Sequence, residues 1–238
     1  MTRTVPTASS FPASSFTAFV NYSNTPPATN ACCQAVLKIE KEKPKLKKLS
    51  KWIQKLSKGW VAIASLIIFI LFTALVLPQQ ASQAALSTGS DKSPDMSLFY
   101  TSNDLYQIAE EYGEGGRMAY VKARFSFDLI WPLVYMVFLS TVLSWLFKKV
   151  FKANSFWQLF NLVPIFGLIF DYLENISTSL VMIRYPSPTN IIAIFAPIFT
   201  VLKWLCVGGS FVLLLIGLII WGWQLIKGKG EWSKPMAA

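Results

Sequence analysis

The chain contains no histidine, and only three cysteines occur among its 238 residues. Without an imidazole it has no Ser-His-Asp triad, no Cys-His pair, no His-ligated zinc, copper or non-haem iron, and no bis-His haem. The cysteines do not restore that chemistry. Cys32 and Cys33 are neighbours in a polar stretch, Cys206 stands alone in an apolar run, and no C-x-x-C spacing occurs. No cofactor and no metal are expected. Adjacent cysteines can accept a lipid, but no motif surrounds this pair, and an inert tail is the simpler reading. Charge is also scarce: 14% of residues are charged against 53% hydrophobic, with a formal net charge of +10.

What the chain does have is long, unbroken apolar runs, which belong in lipid rather than on one face of a soluble helix or strand. Spans are predicted at about 61–77, 125–147, 156–183 and 191–223. The expected fold is all-α: an integral membrane bundle of four transmembrane helices, preceded by a basic amphipathic helix and carrying a short extracytoplasmic helical segment. Residues 61–226 form the transmembrane domain and 227–238 a short cytoplasmic tail. The first span, Val61 to Leu77, reads as retained. A cleaved signal peptide is the competing reading, because small residues follow at Ala81-Ser82-Gln83-Ala84-Ala85, but the run is longer than the 7–15 residues usual for such a segment.

Residues 1–37 are rich in Ser, Thr, Pro and Ala, with Arg3 as the single charge. They read as a disordered tail, with an organelle transit peptide, and hence an organelle membrane, as the alternative. Lys38 to Trp60 forms a basic amphipathic block, with Pro44 in its first helical turn. Leu46, Leu49, Ile53, Leu56 and Trp60 recur at spacings of three and four, with Lys45, Lys47, Lys48, Lys51, Lys55 and Lys58 between them. A lysine-rich helix leading into a span is expected to lie on an anionic leaflet through Lys38–Lys58, and nucleic acid is not the expected partner.

The polar segment 79–124 holds a capping-box pattern at Thr101 and Asp104, with Leu105, Ile108 and Tyr112 on one helical face and Gly113 as a stop. Gly113-Glu114-Gly115-Gly116-Arg117 reads as a hinge. An anion-binding nest is the rival, opposed by the charge of Glu114. Pro132 predicts a kink in span two, and Arg184-Tyr185-Pro186-Ser187-Pro188 a tight turn that makes spans three and four an antiparallel hairpin. Lysines cluster before span one, between spans two and three (Lys148, Lys149, Lys152) and after span four. This places both termini in the cytoplasm, with Trp60, Trp145, Trp157, Trp221 and Trp223 near that boundary.

Against this apolar background, the charged residues within the spans are the candidate site. A carboxylate at membrane depth costs roughly 2.5–3.5 kcal/mol on insertion scales. Asp171, Glu174 and Asn175 lie at i, i+3 and i+4, so they share one face of span three, and Thr178 extends that stripe. Lys203 is the lone charge in the body of span four. Asp171 lies twelve residues before Ile183 and Lys203 twelve after Ile191, about 18 Å from the turn in each case. Matching depth predicts an Asp171–Lys203 pair and leaves Glu174 as the excess acid. Span two adds Arg124 and Asp128 at i and i+4, and Tyr135 on the same face, so an outward-leaning polar cavity is expected.

Three activities fit these residues. The first is a small transporter or transporter-like subunit, working with further copies or a membrane protein partner, in which the cluster binds a proton or a cationic solute. The second is a lipid-modifying membrane enzyme using carboxylate acid/base chemistry, with Lys203 or Arg124 stabilising developing charge. The third is a non-catalytic membrane scaffold in which the cluster is a structural ion-pair network.

Overall fold

A computed structural model describes residues 45–90, 92–94 and 97–231. The tail 1–37 with its transit-peptide alternative, the cysteine pair, residues 38–44 of the basic block and residues 232–238 lie outside the described residues. Among those described there are helices and no strands. Helix α1 covers residues 45–56. α2 (Gly59–Leu71) runs through a π-helical turn (Phe72–Val76) into α3 (Leu77–Thr88). α4 (Ser102–Arg124), α5 (Phe127–Val150), a 3-10 segment (Phe156–Leu162), α6 (Val163–Arg184) and α7 (Asn190–Glu231) follow. Four helical stretches are long and apolar enough to cross a membrane: Gly59–Thr88, Ser102–Val150, Phe156–Arg184 and Asn190–Lys227.

The first stretch outlasts its expected end at Pro78. Proline lacks an N–H and its ring collides with the carbonyl four residues back, which ordinarily stops a helix. Here the π-helical turn immediately before it widens the spiral, and the Gln, Ala and Leu that follow are good helix formers. The helix ends at Gly89, which caps it in the left-handed conformation at φ 71. Segment 79–124 is therefore largely helical rather than a loop. At the other proline-marked boundary the opposite happens: Pro164 sits in the first turn of α6, and residues 156–162 wind as a 3-10 helix.

α6 and α7 form the expected antiparallel hairpin and pack most extensively against each other, while α5 packs against both and α2 packs on α5. One end of the bundle carries α1 and the other α4. At the α1 end, Ser50 donates to Asn161 Oδ1 at 2.8 Å, and Asn161 donates to Ser144 Oγ at 2.8 Å. Lys148 Nζ caps the last carbonyls of α1, reaching Gln54 O at 2.6 Å and Ser57 O at 2.8 Å. Ser65 and Thr141 bond at 2.8 Å between α2 and α5. The polar groups point inward while Ile63, Ile67, Ile70, Leu133, Ile176, Leu215 and Ile219 are exposed. That inverted pattern puts an extended apolar surface on the outside of the bundle.

At the opposite end α4 folds back across the hairpin. The capping box closes as the sequence predicts, with the Asp104 N–H reaching Thr101 Oγ1 at 3.3 Å and the Thr101 N–H reaching Asp104 Oδ2 at 2.8 Å. The Leu105, Ile108 and Tyr112 face is buried against Val181, Met182, Ala193 and Ala196 of the hairpin. Gly113 breaks the helix at φ 61 and ψ −177, a conformation almost confined to glycine. Gly116 lies where an added Cβ would stand 3.1 Å from Thr88 O and 3.2 Å from Thr88 Cα. Arg117 donates to Ala109 O at 2.9 Å and stacks over Tyr185 at 4.7 Å. This glycine-rich stretch is thus a packed joint between α3, the two halves of α4 and the hairpin turn.

Gly116→Ala forces backbone apart and is expected to cost about 1–3 kcal/mol. Gly115→Ala meets nothing within 4 Å and is expected to gain roughly 0.5–1 kcal/mol from helix entropy. Thermal unfolding of the two variants in detergent reads this contrast directly.

Candidate functional site

All eight residues singled out in the spans, namely Arg124, Asp128, Tyr135, Asp171, Glu174, Asn175, Thr178 and Lys203, are buried. Three elements supply them. α5 enters with Asp128 in its first turn and Tyr135 two turns on. α6 presents Asp171, Glu174, Asn175 and Thr178 along one stripe, and α7 brings Lys203.

The lysine's ion pair is with Glu174, at 2.5 Å from Nζ to Oε2. The sequence-based expectation paired it with Asp171 and left Glu174 in excess; the structure makes Glu174 the lysine's partner. The reason lies in side-chain direction. Every Cα–Cβ bond in a helix tilts toward that helix's N-terminus. In an antiparallel hairpin Glu174 therefore leans toward the α1 end and Lys203 toward the α4 end. Glu174 starts one turn nearer the α4 end, so the two side chains lean into each other. Depth matched at Cα level misses this crossing by one turn.

The second carboxylate oxygen of Glu174, Oε1, accepts from Thr200 Oγ1 at 2.7 Å, and Thr200 lies 3.1 Å from the Tyr100 hydroxyl. Asp171 accepts from Tyr135 at 3.0 Å on Oδ2 and from Asn175 Nδ2 at 3.1 Å on Oδ1. Each oxygen of both acids thus has a named partner. Thr178 donates to Glu174 O at 2.9 Å and receives the Tyr120 hydroxyl at 3.2 Å. Arg124 and Asp128 form the i, i+4 pair that their spacing predicts, at 3.0 Å, and the guanidinium stacks over Tyr120 at 4.5 Å.

Thr200, Tyr100 and Tyr120 were not legible as site residues. Thr200 had a signal: it precedes Lys203 by three residues, on the same helical face, and its depth below the hairpin turn equals that of Glu174. Tyr100 and Tyr120 had none, because their role depends on α4 folding back over the bundle. Toward the α1 end the site stops. Residues 163–170 of α6, 204–226 of α7 and 129–147 of α5 contain no Asp, Glu, Lys or Arg. The space there is filled by Phe138, Leu139, Leu143, Leu146 and Phe147. Among the described residues no group of three or more Cys, Asp and Glu side chains is placed to hold a metal ion. No family model, curated protein or solved structure matches the chain.

Removing one partner of a buried pair leaves the other charge uncompensated, which costs about 3–5 kcal/mol. Glu174→Gln and Lys203→Met are each expected to lose that much in denaturant unfolding in mixed micelles, and the double variant less than the sum. Tyr135→Phe removes one hydrogen bond to a carboxylate and should cost about 1.5–3 kcal/mol in the same measurement.

Proposed function

We propose that the chain is a four-span integral membrane protein with both termini cytoplasmic, serving as a non-catalytic scaffold whose buried ionic network holds its helices in register. The observation that carries this reading is the saturation of the two acids. Glu174 is 1% exposed with both oxygens engaged, and Asp171 has two donors of its own. A general acid or a cation-binding carboxylate needs a face open to substrate, and these have none while α4 is in place. The transport reading also asks for a route to both sides of the bilayer, and residues 129–147, 163–170 and 204–226 toward the α1 end carry no charged side chain to line one. The inverted surface supports lipid as the solvent around the four stretches.

Placement of α1 on the cytoplasmic leaflet rests on its three sectors. Ser50, Gln54 and Ser57 face the bundle. Leu49, Trp52 and Leu56 are exposed on one side, and Lys47, Lys51, Lys55 and Lys58 occupy the other. A helix held sideways by polar contacts, with an apolar side and a cationic side, suits a surface where acyl chains meet anionic headgroups. The scaffold's partners would then be an anionic leaflet at Lys38–Lys58 and a protein at the α4 end.

Reconstituted in liposomes under an imposed pH gradient, the wild-type protein should dissipate neither the gradient nor the membrane potential. A pH-dependent flux that disappears in folded Asp171→Asn would reinstate the transport reading. In sealed right-side-out vesicles of a background with Cys32, Cys33 and Cys206 all replaced by Ala, an impermeant maleimide should label Ser97→Cys and spare Gln224→Cys; the reverse pattern overturns the orientation.

A further inference from the structure

α7 turns one aliphatic stripe outward along its whole length. Ile191, Ile198, Leu205, Val212, Ile219 and Ile226 recur every seven residues and are between 44% and 73% exposed. On a straight helix a strict seven-residue repeat drifts by about 20° per heptad. The inward face of α7 keeps the same period, however, with Ala196, Lys203, Ser210 and Gly217 all buried against the bundle, so the outer stripe stays outside. The pattern is that of a coiled-coil seam. Lipid alone asks only for apolar side chains, and it covers only as much helix as the bilayer is thick.

The stripe is longer than that thickness. Three helices share a level at the α1 end: a Cβ added to Gly59 would stand 3.2 Å from the indole nitrogen of Trp145, and the rings of Trp145 and Trp221 meet at 5.4 Å. From this level the outward residues of the first stretch stay apolar for 18 residues, to Leu77, and those of α5 for 16, to Leu129, before exposed Gln79 and Ser126. These runs measure about 27 and 24 Å at 1.5 Å per residue, within a hydrocarbon core of about 30 Å. From Trp221 the outward residues of α7 stay apolar for 30 residues, to Ile191, which is about 45 Å. Tilt alone would have to reach about 48° to fit that length into the core, beyond the 0–40° of spanning helices. Ile191, Ile194 and Phe195, 73%, 54% and 47% exposed, therefore stand past the lipid edge on the α4 side, where a protein surface must cover them.

We propose that the outward face of α7 is a dimerisation seam that packs against the same face of a second copy of the chain, about a two-fold axis along the membrane normal. Copies inserted the same way hold their overhanging bands at one height, and the axis sets each band against itself. The face is also compatible with its own image: the single charge between Ile191 and Ile226 is Lys203, which is buried. The outer side of α4 at that end carries exposed Asp104, Glu110, Glu111 and Glu114 and would repel its copy. Gly209 lies in the stripe one turn below Leu205, with nothing within 4 Å of an added Cβ, and gives a second helix a point of close approach. The seam rests on the four-span membrane reading and goes beyond it by naming a partner.

The test is disulfide trapping in native membranes, using the full-length chain with Cys32, Cys33 and Cys206 replaced by Ala. On mild oxidation Ile191→Cys, Ile198→Cys and Val212→Cys should each give a covalent dimer. Ile176→Cys and Ile183→Cys, on the outward face of α6 and 45% and 53% exposed, should give about a tenth as much or less. Equal yields on the two helices, no dimer from α7, or capture of a different protein in place of a second copy would each overturn the seam. Ile194→Glu sets two carboxylates face to face without entering the bundle interior. It should lower the Val212→Cys dimer about tenfold, and coexpression with an Ile194→Lys chain should restore it; an unchanged yield, or no restoration, defeats the proposal. Alkaline carbonate extraction separates the two readings, since release of the chain sinks the four-span reading, while retention without an α7 dimer sinks the seam alone.

Discussion

The contact between Glu174 and Lys203 sets the terms for everything around it. Two opposite charges withdrawn from water gain nothing by being buried unless their remaining hydrogen-bonding capacity is met, and the fold meets it in layers. Thr200 takes the second oxygen of Glu174, Tyr100 reaches Thr200, and Tyr120 reaches Thr178 one turn above. Tyr100 and Tyr120 come from the segment that folds across the hairpin. The lid made by α4 is therefore tied to the ion pair through tyrosine hydroxyls, and its apolar face on Val181 and Met182 completes the seal. The pair, the hairpin register and the position of α4 form one interlocked arrangement.

The two ends of the bundle solve their polar problem differently. Near α4 the inward groups are charged and arranged as acid with base. Near α1 they are neutral hydroxyls and amides, Ser50, Ser144, Gln158 and Asn161, joining a surface helix to the bundle. Between them lies a plug of Phe and Leu side chains with aromatic stacking from Phe69 onto Phe138 at 4.4 Å. Packing among such side chains is close and comparatively rigid, which isolates the two polar layers from each other.

Much of this was legible in the residue pattern, and the failures are instructive. Apolar runs and prolines located the long stretches and the hairpin turn, and the capping box at Thr101 and Asp104 located the start of α4. The i, i+4 spacing of Arg124 and Asp128 delivered their pair. Counting residues from the turn brought Lys203 to the acidic face but missed its contact with Glu174, because rise per residue describes backbones, while a lysine and a glutamate meet through side chains tilted in opposite senses. Pro78 misled for another reason: its usual penalty is removed by a π-helical turn that no local composition announces. The covering of the site by Tyr100 and Tyr120 was not readable, since it depends on tertiary placement of α4 alone.

The hairpin's division of charge has a consequence for how such a chain is made. α6 carries two acids and its compensating base arrives only with α7, past a five-residue turn. During synthesis the first of these helices would emerge with an uncancelled negative charge that lipid rejects, and the second with a positive one. Neither is a comfortable passenger alone. Inserted together as a paired unit, they would set Glu174 against Lys203 and present hydrocarbon to everything else. In a chain threaded into a membrane as it is made, the tight turn at Tyr185 to Pro188 would keep the wait between acid and base short.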